Sequence, residues 1–371
     1  MPLGRISRPT IVSEDVNMFI KFYEPPTEDD ISLPGGRITP DEVTPDVVIR
    51  RELLRDLILP MPAGRGRPAI NLPFWVIAEP GGLRTFPSEM IRVRQGQIVH
   101  AEVSNRRGTH TIHWHGIEPS PMNDGVGKTS FEIGGILGRY VYQWQPREAG
   151  TYFYHCHKNT PLHFENGLYG LLIIDPPTGP GTAFDGGPVY DVEAFWVVDD
   201  FDPRWHFLDH GEFMGEVNPL GGDPNIRDSL FTYTNDGFLN DFRAEYFAIT
   251  GVPSVDDTTP ITDPRVAITA QVGQSVLIRV LNASYSLIKL TMELDATIIA
   301  MDGRPLGKPP YGRYSSPIPL KAGTPFELTT ARRIDLIIKP KVTGVFQAKF
   351  EHYHSFRGNF IAQQLTTITV I

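Results

Sequence analysis

Short runs of β-branched and aromatic residues, broken by glycine, proline and asparagine, recur through most of the chain. Phe74-Trp75-Val76-Ile77, Ile91–Asn105, Tyr140–Trp144, Gly150–Tyr154 and Tyr169–Ile174 are runs of this kind. Their length and bounding turn residues predict the strands of a first β domain over residues 67–177. Pro176-Pro177 and the Gly/Pro-rich run to Gly187 read as a linker. A second β domain is expected over 188–371. An internal repeat supports it: Ile91–Asn105 aligns without gaps on Ile268–Asn282, with six of fifteen positions identical. Upstream, residues 1–66 form a poorly patterned, irregular extension. Glu24–Asp46 is rich in proline, glycine and acid and reads as loop. Asp46–Leu59 predicts a short amphipathic helix that starts near Pro45, stops at Pro60 and docks its apolar face on a domain or a neighbouring subunit.

Composition agrees with an all-β chain of two domains. The 371 residues suffice for two cores, and 35 glycines with 34 prolines suit many turns. A net charge of −9 argues against a nucleic-acid partner. No stretch approaches the roughly 20 apolar residues of a membrane helix. A single cysteine excludes an internal disulfide framework. The first residues carry no apolar run of signal-peptide type.

Chemistry is concentrated in Thr109–Gly170, which contains the only cysteine and six of the eleven histidines. One cluster is His110-Thr-Ile-His113-Trp-His115-Gly116; the other is Tyr154-His155-Cys156-His157, with His163 a few residues on. In a strand, residues i and i+2 share a face and stand about 6.5–7 Å apart. His113 and His115 therefore point one way and His110 the other. His155 and His157 share a face, and Cys156 takes the opposite one. Neighbouring strands would then build two nests back to back. One would gather His113, His115, His155 and His157, the other His110, Cys156 and His163. Two imidazoles and a thiolate are the ligands of a blue-copper electron-transfer site, and a nest of neutral imidazoles suits copper, zinc or iron. Zinc fits less well, because no CxxC-type knuckle is present. A single HxH pair is often a satisfied surface pair, and a lone cysteine is often a small buried hydrophobe. Two HxH pairs with the cysteine inside one of them are not explained that way. Gly127-Lys128-Thr129 echoes a phosphate loop, but Met122 stands where that motif needs glycine.

His110-x-x-His113-x-His115-Gly116 and His155-Cys156-His157 resemble the HxxHxHG and HCH motifs of the multicopper oxidases, the laccases and their relatives. His163-Phe-Glu-Asn-Gly-Leu168 is similar to the segment that supplies the family's second type 1 histidine and its axial position. The resemblance implies two cupredoxin-like Greek-key domains of sandwich or barrel form. It implies type 1 copper at His110, Cys156 and His163 with Leu168 at the axial place. His113 would be a type 2 ligand, and His115, His155 and His157 type 3 ligands. Asn123-Asp124-Gly125-Val126 resembles the family's MDGV segment and maps the acidic residue that assists oxygen reduction to Asp124. An exported, periplasmic or secreted, homotrimer that uses a phenolic or metal-ion reductant and dioxygen is also implied.

Two departures stand out. His163 lies seven residues after Cys156, two more than in the family pattern, which leaves the axial place open between Leu168 and Asn166. A full trinuclear cluster takes four HxH pairs from two domains, and the second domain offers only His352 and His354. Carrying the repeat forward sets Leu287, Leu290 and Met292 where the first domain has His110, His113 and His115. His352 and His354 are expected either to complete a smaller metal centre across a subunit interface or to lie exposed on an edge strand. His206 and His210 are expected on the surface, and His100 in solvent. Three functions compete: a laccase-type oxidase, a nitrite-reductase-like enzyme with one catalytic copper, and a copper carrier or store without catalysis.

Overall fold

The structure is a computed structural model that describes residues 44–106, 108–127, 129–134, 138–207, 242–309 and 315–371. Its first unit is built from eight strands: β1 (Val47–Met61), β2 (Ile70–Ala78), β3 (Ser88–Arg94), β4 (Val99–Asn105), β5 (His113–His115), β6 (Arg139–Trp144), β7 (Gly150–His155) and β8 (Tyr169–Asp175). One short helix, α1 (Thr160–Glu165), interrupts them between β7 and β8. The strands form two four-stranded sheets, ordered β2-β1-β4-β6 and β3-β8-β7-β5. Trp114, Tyr142, Trp144, Tyr154, Leu172 and Cys156 are buried together in one core cluster of this unit.

Val47–Met61 is a strand, not the helix expected from its pattern. It pairs antiparallel with β2 and parallel with β4. Its aliphatic residues satisfy a helical stripe and a buried strand equally well, and two free sheet neighbours decide the matter. The segment read as an irregular extension therefore supplies a strand of the first unit. Residues 24–43, most of the stretch read as loop, lie outside the described residues.

The second unit has two larger sheets around Trp196, Val280, Leu290, Leu336, Phe350 and Ile368. The sequence repeat is a structural repeat. Gly96 and Gly273 both adopt positive φ, at 83° and 87°. The Gln97 and Gln274 side chains each accept from a backbone N–H three residues earlier, at 2.7 and 2.8 Å. Each turn then feeds a strand that lies parallel to its unit's first strand. Leu290 and Met292, the counterparts of His113 and His115, are buried in this second core. His100 is buried, contrary to expectation, because its strand β4 runs between β1 and β6 and is covered on both faces.

The units share an apolar cluster of Phe74, Phe153 and Tyr169 with Val197, Phe201 and Leu281. Beside it runs a line of charges. Arg92 reaches Asp175 and Glu193, each at 2.7 Å. Glu193 meets Arg279 Nε at 2.7 Å, and Arg279 Nη1 meets Asp335 at 3.1 Å. Thr151 of β7 donates to Asp335 and accepts from Arg279 Nη1. Burial opposes ionisation of Glu193, but Arg279 and Arg92 outweigh it and hold the carboxyl below its ordinary range. Stability from Glu193 is therefore present above the ordinary carboxylate range and is lost as pH falls through the depressed value.

Arg279→Met strands Asp335 in the interior without a guanidinium. It is expected to cost about 3–5 kcal/mol, read as a lower urea midpoint at neutral pH. Arg279→Lys restores only part, since an ammonium cannot bridge two carboxylates and Thr151 in the same fork geometry.

Candidate metal centre

The two histidine motifs meet across the β5–β7 pair, where His113 stands opposite His155 and His115 opposite Phe153. Tryptophan at 114 and tyrosine at 154 turn the alternate positions into core, which pins the register of the pair. A one-residue slip would bury imidazoles and expose indole.

The strand ends at His155, earlier than its sequence suggests. Cys156 and His157 lie just beyond it, and His110 makes only an isolated bridge to Ile133. The alternation survives because the chain stays tied down. Cys156 N–H donates to Leu168 O at 2.9 Å, and His157 N–H donates to Thr111 Oγ1 at 3.2 Å. Cys156 thus points into the core while His155 and His157 face away.

On the inner side, Cys156 Sγ lies 3.4 Å from His110 Nδ1 and 3.1 Å from His163 Nδ1. His163 comes from α1, placed by the turn that Asn159 enters in a left-handed conformation. The ligand atoms of His110, Cys156 and His163 all fall within 4.8 Å of one another. Burial pushes the Cys156 thiol up to about 12, so without a cation it stays protonated at neutral pH, and a metal would displace that proton. Leu168 is buried in the same cluster as Cys156. Asn166 turns its amide nitrogen onto Leu162 O at 2.8 Å, and its buried Oδ1 has no hydrogen-bond partner.

On the outer side, the ligand atoms of His113, His115 and His155 also lie within 4.8 Å of one another. The His157 ring sits 5.3 Å from that of His113. His113 Nδ1 faces Asp124 O at 2.8 Å and the Asp124 carboxylate at 3.3 Å. His155 Nδ1 faces Cys156 O at 2.9 Å. Both rings then carry their proton on Nδ1 and turn Nε2 into the nest, an orientation fixed by the partner of the other nitrogen. His115 Nδ1 stands 3.4 Å from His155 Nε2, an acceptor already committed to the nest. Burial lowers the pKa of His115 to about 3, with Arg333 and the other imidazoles adding to it. Burial also holds His155 and His157 low. Crowded imidazoles, with the one nearby carboxylate of Asp124 set against His113 Nδ1, form a donor set that suits copper.

The other described histidines stay away from both nests. His352 is buried in the second unit, with Nε2 2.9 Å from Gln364 Oε1 and Nδ1 3.6 Å from Asp200. His354 Nδ1 accepts from the N–H groups of Phe356 and Arg357 at 3.2 Å each and closes a turn. His206, expected on the surface, is buried. Its ring lies 4.5 Å from Phe74, and its nitrogens face Pro73 O and Glu165. The apolar side of its short helix, which also buries Trp205, carries it inward. His210 lies outside the described residues. Sequence reasoning passed over Trp75, whose ring is 5.1 Å from His163, and Arg333, a second-unit residue beside Phe153 and the His115 side of the nest. Nothing local marks either one, since both reach the site from distant strands.

Residues 83–179 match the family model described as multicopper oxidase. They span both nests. An L-ascorbate oxidase from Cucumis sativus is 36% identical over 134 residues, which is 35% of this chain and 21% of that protein. Copper resistance protein A from Escherichia coli is 26% identical over 288 residues, 70% of this chain and 42% of its own length. The chain thus spans less than half of these curated relatives. Among solved structures, the blue copper oxidase from Nitrosomonas europaea superposes with a TM-score of 0.60 at 20% identity, covering 87% of this chain and 85% of that one. The multicopper oxidase mgLAC gives 0.59 at 20% identity, with 87% and 86% covered. The all-β fold is shared with both.

Gly125 holds the outer nest in place. Its φ is 75°, and a Cβ there would lie 1.8 Å from Ile112 O and 2.8 Å from His113 N. Gly125→Ala is expected to cost about 1–3 kcal/mol in strain. It should also displace His113, lowering the metal content of the outer nest while the Cys156 nest still fills. Metal counting beside a visible spectrum separates the two.

Proposed function

We propose that this chain, a relative of the multicopper oxidases through residues 83–179 and through its fold, is a copper-dependent oxidoreductase of laccase type. It would pass single electrons from a reductant to dioxygen. The observation that carries this is the pair of donor sets joined by one covalent segment, His155-Cys156-His157, with a thiol on one side and imidazoles on the other.

Copper bound in these nests would supply one-electron transfer at the sulfur site and dioxygen reduction at the imidazole site. The chain's own residues do the rest. His110, Cys156 and His163 would hold type 1 copper in a dry pocket. Leu168, buried in the same cluster as Cys156, would offer it no strong fourth ligand. The buried Oδ1 of Asn166 is the alternative donor. His113 would serve as the type 2 ligand, and His115, His155 and His157 as type 3 ligands. Asp124 keeps His113 in one tautomer through its carbonyl and places its carboxylate, partly open to solvent, where it can carry protons inward. Thr111 holds the backbone of His157.

His352 and His354 have no part in either nest of this chain, being held by Gln364 and by a turn. The outer nest is half-open at His113, His115 and His157. That open side supports a homotrimer in which a neighbouring subunit covers it. By the same family resemblance the protein works in the periplasm or outside the cell. No helix among the described residues is long and apolar enough to cross a membrane.

Copper-loaded protein is expected to show an intense band near about 600 nm from the thiolate site and to consume oxygen with a phenol. His113→Ala should keep the band and reduce oxygen uptake by about a hundredfold or more. Uptake unchanged by that substitution would remove the outer nest from the reaction, and one copper per chain with no uptake would identify an electron carrier instead.

A further inference from the structure

Copper in the outer nest, as proposed above, would have His115 as a ligand, and the second unit brings a cation up beside that residue. Arg333 opens the strand Arg333–Ile338 and is 3% exposed. Its Cζ lies 5.2 Å from the Phe153 ring centroid. Phe153 stacks in turn on His115, at 4.2 Å and 25°, and on His155, at 5.3 Å and 22°. Gly116, the residue after His115, has a φ of 92°, and a Cβ there would lie 2.7 Å from Arg333 Nη2. The guanidinium thus fills the space of the side chain that position 116 lacks.

This cation is fixed in place but thinly compensated. Nη1 donates to Ala331 O at 2.7 Å and Nε to Thr151 O at 3.5 Å, and both acceptors are neutral. The carboxylate it meets, Asp302, stands 3.4 Å from Nη1 and is shared with Arg332 at 2.5 Å. Arg304 donates to Gly116 O at 3.0 Å and brings a further positive charge, offset by Glu118 at 3.2 Å. Burial lowers the pKa of Arg333 from its ordinary value, and Asp302 opposes this only in part. A guanidinium nevertheless keeps its proton inside a protein. A full positive charge with half a partner therefore stands at the His115 side of the nest.

We propose that Arg333 is a positioning residue that sets the charge balance of the outer nest: its fixed charge, acting across Phe153 and His115, weakens the hold on copper(II) and favours copper(I) and a small anion there. Coulomb energy follows the product of the charges. Copper(II) is therefore penalised twice as much as copper(I), and a monovalent anion at a like distance gains what copper(I) loses. The balance retains an electron that arrives from the Cys156 side. No bond to the protein forms or breaks.

The test is metal and anion affinity on the full chain. Copper(II) is measured by competition with a chelator, copper(I) by competition with bicinchoninate under argon, and azide by titration of the copper-loaded protein through its azide-to-copper absorption. The visible thiolate band separates inner-nest copper from the rest. Arg333→Met removes the charge and keeps most of the volume. It is expected to tighten outer-nest copper(II) by about tenfold and copper(I) by about threefold, and to weaken azide by about threefold. Asp302→Asn takes the carboxylate away from Arg333, and asparagine tolerates the left-handed φ of 51° at that position. It is expected to move all three affinities the opposite way. Arg333→Lys, which keeps the charge, stays closer to wild type than Arg333→Met, and the thiolate band holds in every variant. Copper binding weakened by both Arg333→Met and Asp302→Asn is what a packing role alone gives, and it overturns the proposal, as do affinities unchanged in both. Should Arg333→Met fail to fold, Asp302→Asn decides: azide affinity at or below wild type overturns the charge role. A wild-type chain whose outer nest takes up no copper overturns the oxidase reading and this proposal together. A nest that fills identically in every variant overturns the role of Arg333 alone.

Discussion

The arrangement depends on how one short backbone segment distributes its side chains. His155, Cys156 and His157 are consecutive, so nothing but the direction of each Cα–Cβ bond separates an imidazole nest from a thiol nest. Extended backbone sends neighbours to opposite faces. Here the regular strand stops at His155, and hydrogen bonds from Cys156 to Leu168 and from His157 to Thr111 take over from the ladder. Trp114, buried between His113 and His115, and Tyr154, buried just before His155, make any other register costly.

The second unit shows what that frame does without its ligands. It repeats the glycine turn, the glutamine that caps it and the parallel strand that follows. Leu290 and Met292 occupy the places of His113 and His115 and simply fill its core. Its contribution to the site is positional. The charge line from Asp175 to Asp335 and the shared aromatic cluster hold β7 from behind, and Arg333 comes up beside Phe153, which stacks on His115. A unit with no such nest among its described residues thus brings a cation, Arg333, to the side of its neighbour's.

Much of the fold and the site was legible along the chain. Strand periodicity, turn residues and the 91–105/268–282 repeat pointed to two β units. The parity of His110, His113, His115, His155, Cys156 and His157 told which side chains share a face, because alternation is a local property of extended backbone. The same local logic failed where burial decides. Val47–Met61 satisfies helix and strand alike until two strands offer it hydrogen bonds. His100 and His206 carry polar side chains into covered positions, and Glu165 and Pro73 meet His206 there from other elements.

The order of histidine and cysteine along the chain, and hence which face each one joins, was determined by sequence alone, since it needs only the two-residue period of a strand. Tertiary structure alone decided what surrounds them. It tied His352 to Gln364, set Trp75 edge-on to His163, and brought Arg333 to the His115 side. Those contacts join residues tens to hundreds of positions apart, and their geometry comes from sheet pairing and packing between units, for which no local pattern exists.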